Sequence, residues 1–126
     1  MATSIIKSPR FIVEKGSASG ARWIKWSDGT AEYWGWKSGN VSATWLQWGS
    51  IYYSSTISRF VYPTNLFIEQ PYSVTNITNL SADAWLCFSK NGGTNAETSD
   101  FYLVRPTATS EAYRYALSNY SYGRWQ

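Results

Sequence analysis

Histidine is absent from the chain, and cysteine occurs only once, as Cys87. The lack of histidine excludes Ser-His-Asp triads, Cys-His pairs and histidine-bound metal centres. A single cysteine excludes an intrachain disulfide. Because Cys87 stands in the apolar run Ala-Trp-Leu-Cys-Phe, and no histidine is present to act as its base, we expect a buried, unreactive thiol.

Charge is also sparse, and so are long apolar runs. Charged residues make up 15% of the chain, and the eleven Lys and Arg are scattered singly through it. Nucleic-acid binders usually cluster such residues on one face or along one helix, so we expect no nucleic-acid partner despite the net charge of +3. No stretch approaches the ~18 apolar residues of a membrane-spanning helix, and we expect no membrane insertion.

Aromatic residues are abundant instead, with eight Trp and ten Tyr among 126 residues. They favour β-strands, no amphipathic helix stands out, and turn residues separate many short strand-like runs. The pattern predicts one all-β domain, a sandwich or a barrel, over residues 11–126, with residues 1–10 as a linker or junction. The predicted strands cover residues 11–15, 21–27, 30–37, 41–48, 58–62, 66–69, 72–76, 84–89, 100–105 and 113–125, the last broken near residue 119.

The clearest local motif is Asp28-Gly29, which lies between two aromatic-rich runs. An Asp-Gly pair favours a two-residue type I′ turn, in which both central residues have positive φ. This turn fixes the register of the hairpin, since a slip of one residue would reverse the faces. It predicts two directly opposed pairs on one face, Lys25 with Glu32 and Trp23 with Trp34. Because Trp34 pairs with Trp23, we expect Trp34 to belong to the core.

Four blocks of the sequence resemble, in the same order, the distal, receptor-binding domains of phage and prophage tail fibres from gut Firmicutes. Residues 23–35 read Trp-Ile-Lys-Trp-Ser-Asp-Gly-Thr-Ala-Glu-Tyr-Trp-Gly, which is similar to an aromatic hairpin near the start of those domains. The other matching blocks are Trp-Gly-Ser-Ile-Tyr-Tyr at residues 48–53 followed by Tyr62-Pro63, Phe-Tyr-Leu-Val-Arg-Pro-Thr at residues 101–107, and Tyr-Gly-Arg-Trp at residues 122–125.

The resemblance implies a non-catalytic β-sandwich, which we expect to be a jelly-roll-like single domain that forms homotrimers. It also implies a place on the virion, at the tip of a tail fibre behind an upstream shaft, and adhesion to a bacterial surface polysaccharide. Tyr33 departs from the family pattern, in which Cys is common at that position. Two other functions stay open: a structural trimer cap without a specific ligand, and a carbohydrate-binding module of a secreted protein.

The carboxylates have simple local explanations, so we expect no enzymatic activity. Asp28 fits the turn, and Glu32 fits a pair with Lys25. Asn91, Asn95, Glu97 and Asp100 could offer oxygen atoms to calcium. They lack the spacing of a calcium loop, and we expect neither a metal nor a cofactor.

The aromatic residues support adhesion, because sugar rings pack their C–H faces on Trp and Tyr while nearby polar groups bind the hydroxyls. Two tryptophans flank a predicted polar turn at residues 37–40, and a polar, glycine-containing segment at residues 90–99 predicts an exposed loop. The alternative is that the two tryptophans pack on each other and the loop is a spacer. The predicted ligand-binding residues are Trp36, Trp45, Asn91, Thr94, Asn95 and Glu97.

Overall fold

The protein is described here by a computed structural model that covers residues 9–81, 83–88 and 92–126. Over these residues the chain forms β-strands, turns and loops, with no helix. The strands build two antiparallel sheets, an arrangement consistent with a β-sandwich. The predicted all-β class is therefore confirmed.

The sheets contain five and four strands. The five-stranded sheet has the order β1-β2-β3-β9-β6, and the four-stranded sheet has the order β4-β5-β8-β7. The strands are β1 (Ile12–Ala18), β2 (Ala21–Trp26), β3 (Thr30–Asn40), β4 (Leu46–Trp48), β5 (Ile51–Tyr53), β6 (Tyr72–Leu80), β7 (Trp85–Phe88), β8 (Phe101–Arg105) and β9 (Arg114–Arg124).

The long central ladder joins β3 and β9, which are 11 residues each and pair from end to end. The predicted turn at residues 37–40 is wrong, because these residues continue β3. The predicted break near Asn119 is wrong as well. At Gly39 a Cβ would lie 2.9 Å from the hydroxyl of Tyr115 on the opposite strand, so glycine is used there for close approach and not for a turn.

Both edge strands of the five-stranded sheet are irregular. The register of β1 shifts between Ile12 and Glu14, and that of β6 shifts between Ile77 and Asn79. Such a bulge bends a strand and increases its local twist.

The Asp28-Gly29 hairpin is present, but the predicted register is wrong by one residue. The loop holds three residues, 27–29, and the amide of Gly29 donates to the carbonyl of Trp26 at 3.1 Å. Gly29 has a φ of 88°, while Asp28 is not among the described residues with positive φ. This is a turn followed by a left-handed glycine, which an Asp-Gly pair also fits.

The shifted register changes both predicted pairs. Trp23 lies opposite Tyr33, which is buried, and Trp34 lies opposite Arg22. Because neighbouring residues of a strand point to opposite faces, Trp34 leaves the core side and joins the outward face of the sheet. Lys25 lies opposite Ala31 and pairs with Glu14 on β1 at 3.7 Å.

Three other predicted strands differ in the structure. Residues 58–62 and 66–69 form no strands, and only isolated bridges connect Ile57 with Phe101 and Val61 with Glu97. The predicted strand at residues 41–48 is reduced to β4 at its end. It is followed by a Gly49-Ser50 turn and by β5, which the sequence analysis missed.

The core lies between the sheets and includes the segment around residues 54–71. Phe60 shows the role of this segment. The centroid of its ring lies 6.1 Å from that of Phe101 on β8, and a Cβ on Gly35 of β3 would lie 2.7 Å from the same ring. The segment therefore connects the two sheets by packing. The buried apolar residues are Ala21, Ala31, Tyr33, Val41, Ile57, Phe60, Tyr62, Leu66, Phe67, Phe101, Leu103, Tyr113 and Leu117.

Candidate functional site

The outward face of the five-stranded sheet carries a row of side chains from four neighbouring strands. Arg22 lies opposite Trp34, Trp34 opposite Tyr120, and Tyr120 opposite Val74. The next row on the same face contains Trp36, Ser118 and Asn76, since Ser118 pairs with both of the others. Strand pairing thus brings aromatic and polar side chains from distant parts of the sequence together on one face.

These two rows enclose a surface groove of about 410 Å³. Its walls are mainly aromatic and apolar, and they also include the amide of Asn76, the hydroxyl of Ser118 and the guanidinium of Arg22. Ligand sites in proteins commonly combine apolar walls with a few placed polar groups. The side chains that define this aromatic groove are Arg22, Trp34, Trp36, Val74, Asn76, Ser118 and Tyr120.

The two tryptophan rings of the groove differ in their contacts and in their exposure to solvent. Trp34 is held between neighbours: its ring lies 5.7 Å from that of Tyr120, and the guanidinium of Arg22 lies 4.8 Å from its centroid. Trp36, in contrast, is 52% exposed. Trp34 is therefore the fixed part of the surface, and Trp36 offers the ring that a ligand can cover.

Glu32 orders one side of the groove. Its carboxylate accepts a hydrogen bond from the hydroxyl of Tyr120 at 2.7 Å and another from the indole of Trp26 at 2.8 Å. Burial, followed by the hydrogen bond to this carboxylate, raises the pKa of Tyr120 to about 12. The hydroxyl stays protonated at neutral pH and holds its ring in place. The predicted pair of Glu32 with Lys25 is wrong, because Lys25 lies on the other face.

A polar network, buried at Asn119 and Ser121, supports the groove from the opposite face of β9 and β6. The amide of Asn119 donates to the hydroxyl of Ser121 at 2.8 Å, and it accepts from Ser73 and Thr75 at 2.8 and 2.7 Å. Ser121 is also bonded to the hydroxyl of Tyr62 at 2.8 Å. A satisfied internal network of this kind favours one arrangement, and here it fixes the two strands that present Ser118, Tyr120, Val74 and Asn76.

The two tryptophans predicted to bind a ligand occupy different places. Trp36 lies in the groove opposite Ser118, whereas Trp45 packs on Tyr113 at 5.2 Å and donates from its indole to the carbonyl of Glu111 at 2.9 Å. Tyr113 and Ser118 are five positions apart in the sequence, or roughly 17 Å in extended chain. Trp45 has a packing role, and its predicted role in binding is not needed for the groove.

The loop residues predicted to bind a ligand are tied into the fold. The amide of Asn95 donates to the carbonyl of Phe67 at 3.3 Å, the backbone of Thr94 donates to that of Glu97 at 2.8 Å, and the Glu97 carboxylate pairs with Arg59 at 2.6 Å. Residues 94–96 are exposed, as predicted for this loop, whereas Thr98 and Ser99 at its end are buried. Asn91 lies outside the described residues.

Most residues of the groove were missed by the sequence analysis. Arg22, Trp34 and Tyr120 belong to one row only in the observed register, and the predicted register placed Trp34 in the core. A signal that could have found Arg22 is the alternation of side chains between the two faces of the hairpin strands, which places Arg22, Ile24 and Trp26 on one face. Asn76 and Ser118 carry no local signal at all.

Residues 9–81, 83–88 and 92–126 include no group of three or more acidic or cysteine side chains placed to hold a metal ion. Within the same residues there is no helix of the length and apolar character that crossing a bilayer requires.

Comparison of the chain with protein-family models, with curated proteins and with solved structures found no match.

Proposed function

We propose that this chain is the receptor-binding tip of a phage tail fibre, and that it adheres without catalysis to a bacterial surface polysaccharide through the aromatic groove. The observation that carries the proposal is the exposed Trp36 beside the fixed Trp34–Tyr120 pair, with polar side chains next to the rings. An outward face built in this way is suited to a sugar.

The chemistry of the groove fits a polysaccharide. The face of a pyranose ring presents C–H groups that pack on an indole such as that of Trp36. The side chains of Asn76, Ser118 and Arg22 supply donors and acceptors for sugar hydroxyls, and Arg22 also suits a carboxylate or phosphate substituent. A groove on a sheet face accepts an internal unit of a polymer, which an enclosed pocket excludes.

The tail-fibre assignment comes from the four sequence blocks, and the all-β fold with two antiparallel sheets is compatible with it. The hairpin block forms β2 and β3, which provide Arg22, Trp34 and Trp36. As part of the proposal, the domain is a jelly-roll-like sandwich that acts as a homotrimer behind a fibre shaft, at the tip of the virion tail.

The test is a glycan array of bacterial cell-wall and capsular oligosaccharides, followed by calorimetry with the best-bound fragment. Trp36→Ala should remove binding of that fragment, because it deletes the free ring of the groove. Phe11→Ala is the matched control, since Phe11 is 66% exposed and lies outside the groove. Equal affinities for the wild type and Trp36→Ala would refute the site, and an array without bound glycans would refute carbohydrate adhesion.

A further inference from the structure

The outward face of the four-stranded sheet is apolar from edge to edge. One row crosses all four strands, with Leu46 opposite Tyr53, Tyr53 opposite Val104, and Val104 opposite Trp85. Trp48 pairs with Ile51, and Cys87 pairs with Tyr102, on either side of that row. This apolar face comprises Leu46, Trp48, Ile51, Tyr53, Trp85, Cys87, Tyr102 and Val104.

The face leaves large side chains in water. Trp48 is 65% exposed, Trp85 61% and Leu46 54%, and Cys87, expected to be buried, is only partly so. At roughly 250 Å² for a whole Trp, the exposed parts of the two tryptophans alone come to about 300 Å². A stable interface takes about 800 Å² from each partner, so these two residues supply more than a third of it.

The two sheets differ in the charge of their outward faces. The five-stranded sheet presents Arg22, Glu32 and Arg124, whereas none of the described residues of the apolar face is charged. Charged residues are depleted at the centres of protein interfaces, where Trp and Tyr are enriched. The apolar face has the composition of an interface core, while the aromatic groove has that of a hydrated ligand surface.

We propose that the apolar face packs against other copies of this chain and forms the contact of the homotrimer, an inference that rests on the proposed function, of which the trimer is a part. Another copy is the fitting occupant, because its own apolar face leaves no charge unpaired on either side. The two exposed tryptophans lie on opposite edge strands, Trp48 on β4 and Trp85 on β7. In a ring of three, the β4 side of one copy meets the β7 side of the next, a head-to-tail contact that closes on itself.

The experiment measures the mass of the chain in solution by size exclusion with light scattering. The wild type should have the mass of three chains, and Trp85→Lys should reduce it about threefold, to the 14.3 kDa of one chain. Leu46→Lys is a second variant on the opposite edge strand, and circular dichroism checks that both keep the β fold. Trp36→Ala, on the other sheet, should remain a trimer.

Cys87 provides an independent reading, because it is the chain's single thiol and lies on this face. Its reaction with Ellman's reagent should be slow in the wild type and should become faster in Trp85→Lys, in proportion to the monomer that forms. A monomeric wild type, or folded lysine variants that remain trimers, would overturn the inference. A wild-type dimer would overturn the ring of three.

The glycan assay separates this inference from the proposed function. Monomeric Trp85→Lys should bind an isolated oligosaccharide with the affinity of the wild type, because the groove is on the other sheet. A trimer that depends on Trp85 but binds no glycan would keep the interface and refute adhesion.

Discussion

The guanidinium of Arg22 lies over the ring of Trp34, 4.8 Å from its centroid, although the two residues are on different strands of the hairpin. Trp34 is thereby fixed between Arg22 and Tyr120. These three side chains form one wall of the aromatic groove, and Trp36 lies beside Trp34 on β3.

Arg22→Met should weaken glycan binding more than it weakens the fold. Methionine keeps an apolar side chain over Trp34 but removes the charge and the donors. An exposed cation–π contact contributes about 0.5–1 kcal/mol, so urea unfolding should show a loss of that size. Calorimetry should show a larger loss of binding. Arg114→Met, at an exposed position at the start of β9, is the control, and an equal effect of both substitutions on affinity would contradict the role of Arg22.

Gly29→Ala should lower the free energy of unfolding by about 1–2 kcal/mol, because an L-residue is strained at the φ of 88° found there. Gly29→Asn should recover much of this loss, since asparagine tolerates the left-handed region. Urea denaturation measures both. Equal stability of the wild type and Gly29→Ala would mean that the three-residue loop is not the turn that forms.

Gly35→Ala should destabilise the protein by about 1–3 kcal/mol, the usual effect of overpacking. The added Cβ would lie 2.7 Å from Phe60 and 2.9 Å from the ring of Tyr33. Gly92→Ala is the matched control, because a Cβ there meets nothing within 4 Å. Thermal melting compares the two, and similar melting temperatures would show that Phe60 is not packed on β3 as described.

Asp100→Asn should remove part of the loss of stability in acid. The Asp100 carboxylate accepts hydrogen bonds from the side chain and backbone of Arg59 at 3.0 Å, which lowers its pKa below the usual 3.8. Its contribution is therefore full above about pH 4 and is lost as the pH falls through the lowered pKa. For this partly exposed pair we expect about 1 kcal/mol.

Urea midpoints between pH 7 and pH 2 test the prediction for Asp100. The asparagine variant should be less stable than the wild type at pH 7, and the two curves should converge in acid. Glu69→Gln, an exposed substitution, controls for the general loss of a negative charge. Parallel curves for the wild type and Asp100→Asn would show that the ion pair does not contribute.

The sequence alone allowed the all-β class and the position of the hairpin to be predicted. Its register could not be predicted, because Asp28-Gly29 fits both a two-residue and a three-residue loop. Burial of Tyr33 against the core selects the longer loop. That one-residue difference moved Trp34 from the predicted core to the aromatic groove, so an error in a turn became an error in the site.

Other features depend on contacts that no local pattern reveals. The polar composition of residues 90–99 predicted an exposed loop, but it did not indicate that Asn95 bonds to Phe67 and Glu97 to Arg59, which are 28 and 38 residues away. Trp36 could be singled out from the sequence, whereas Ser118 and Asn76 join it only through strand pairing. The short strand β5 did have a local signal, since Gly49-Ser50 between Trp48 and Ile51 fits a two-residue turn in which Gly49 has positive φ.

The shifts of register in β1 and β6 have a consequence for how copies of the chain can meet. Exposed backbone at the margin of a sheet invites another chain to extend it, and this is a common start of aggregation. Here the edge strands of one sheet are interrupted by register shifts between residues 12 and 14 and between residues 77 and 79, and those of the other sheet have only 3 and 4 residues. Continuous, fibril-like growth by strand addition is therefore disfavoured, and a solution rich in this aromatic protein is expected to hold assemblies of limited size.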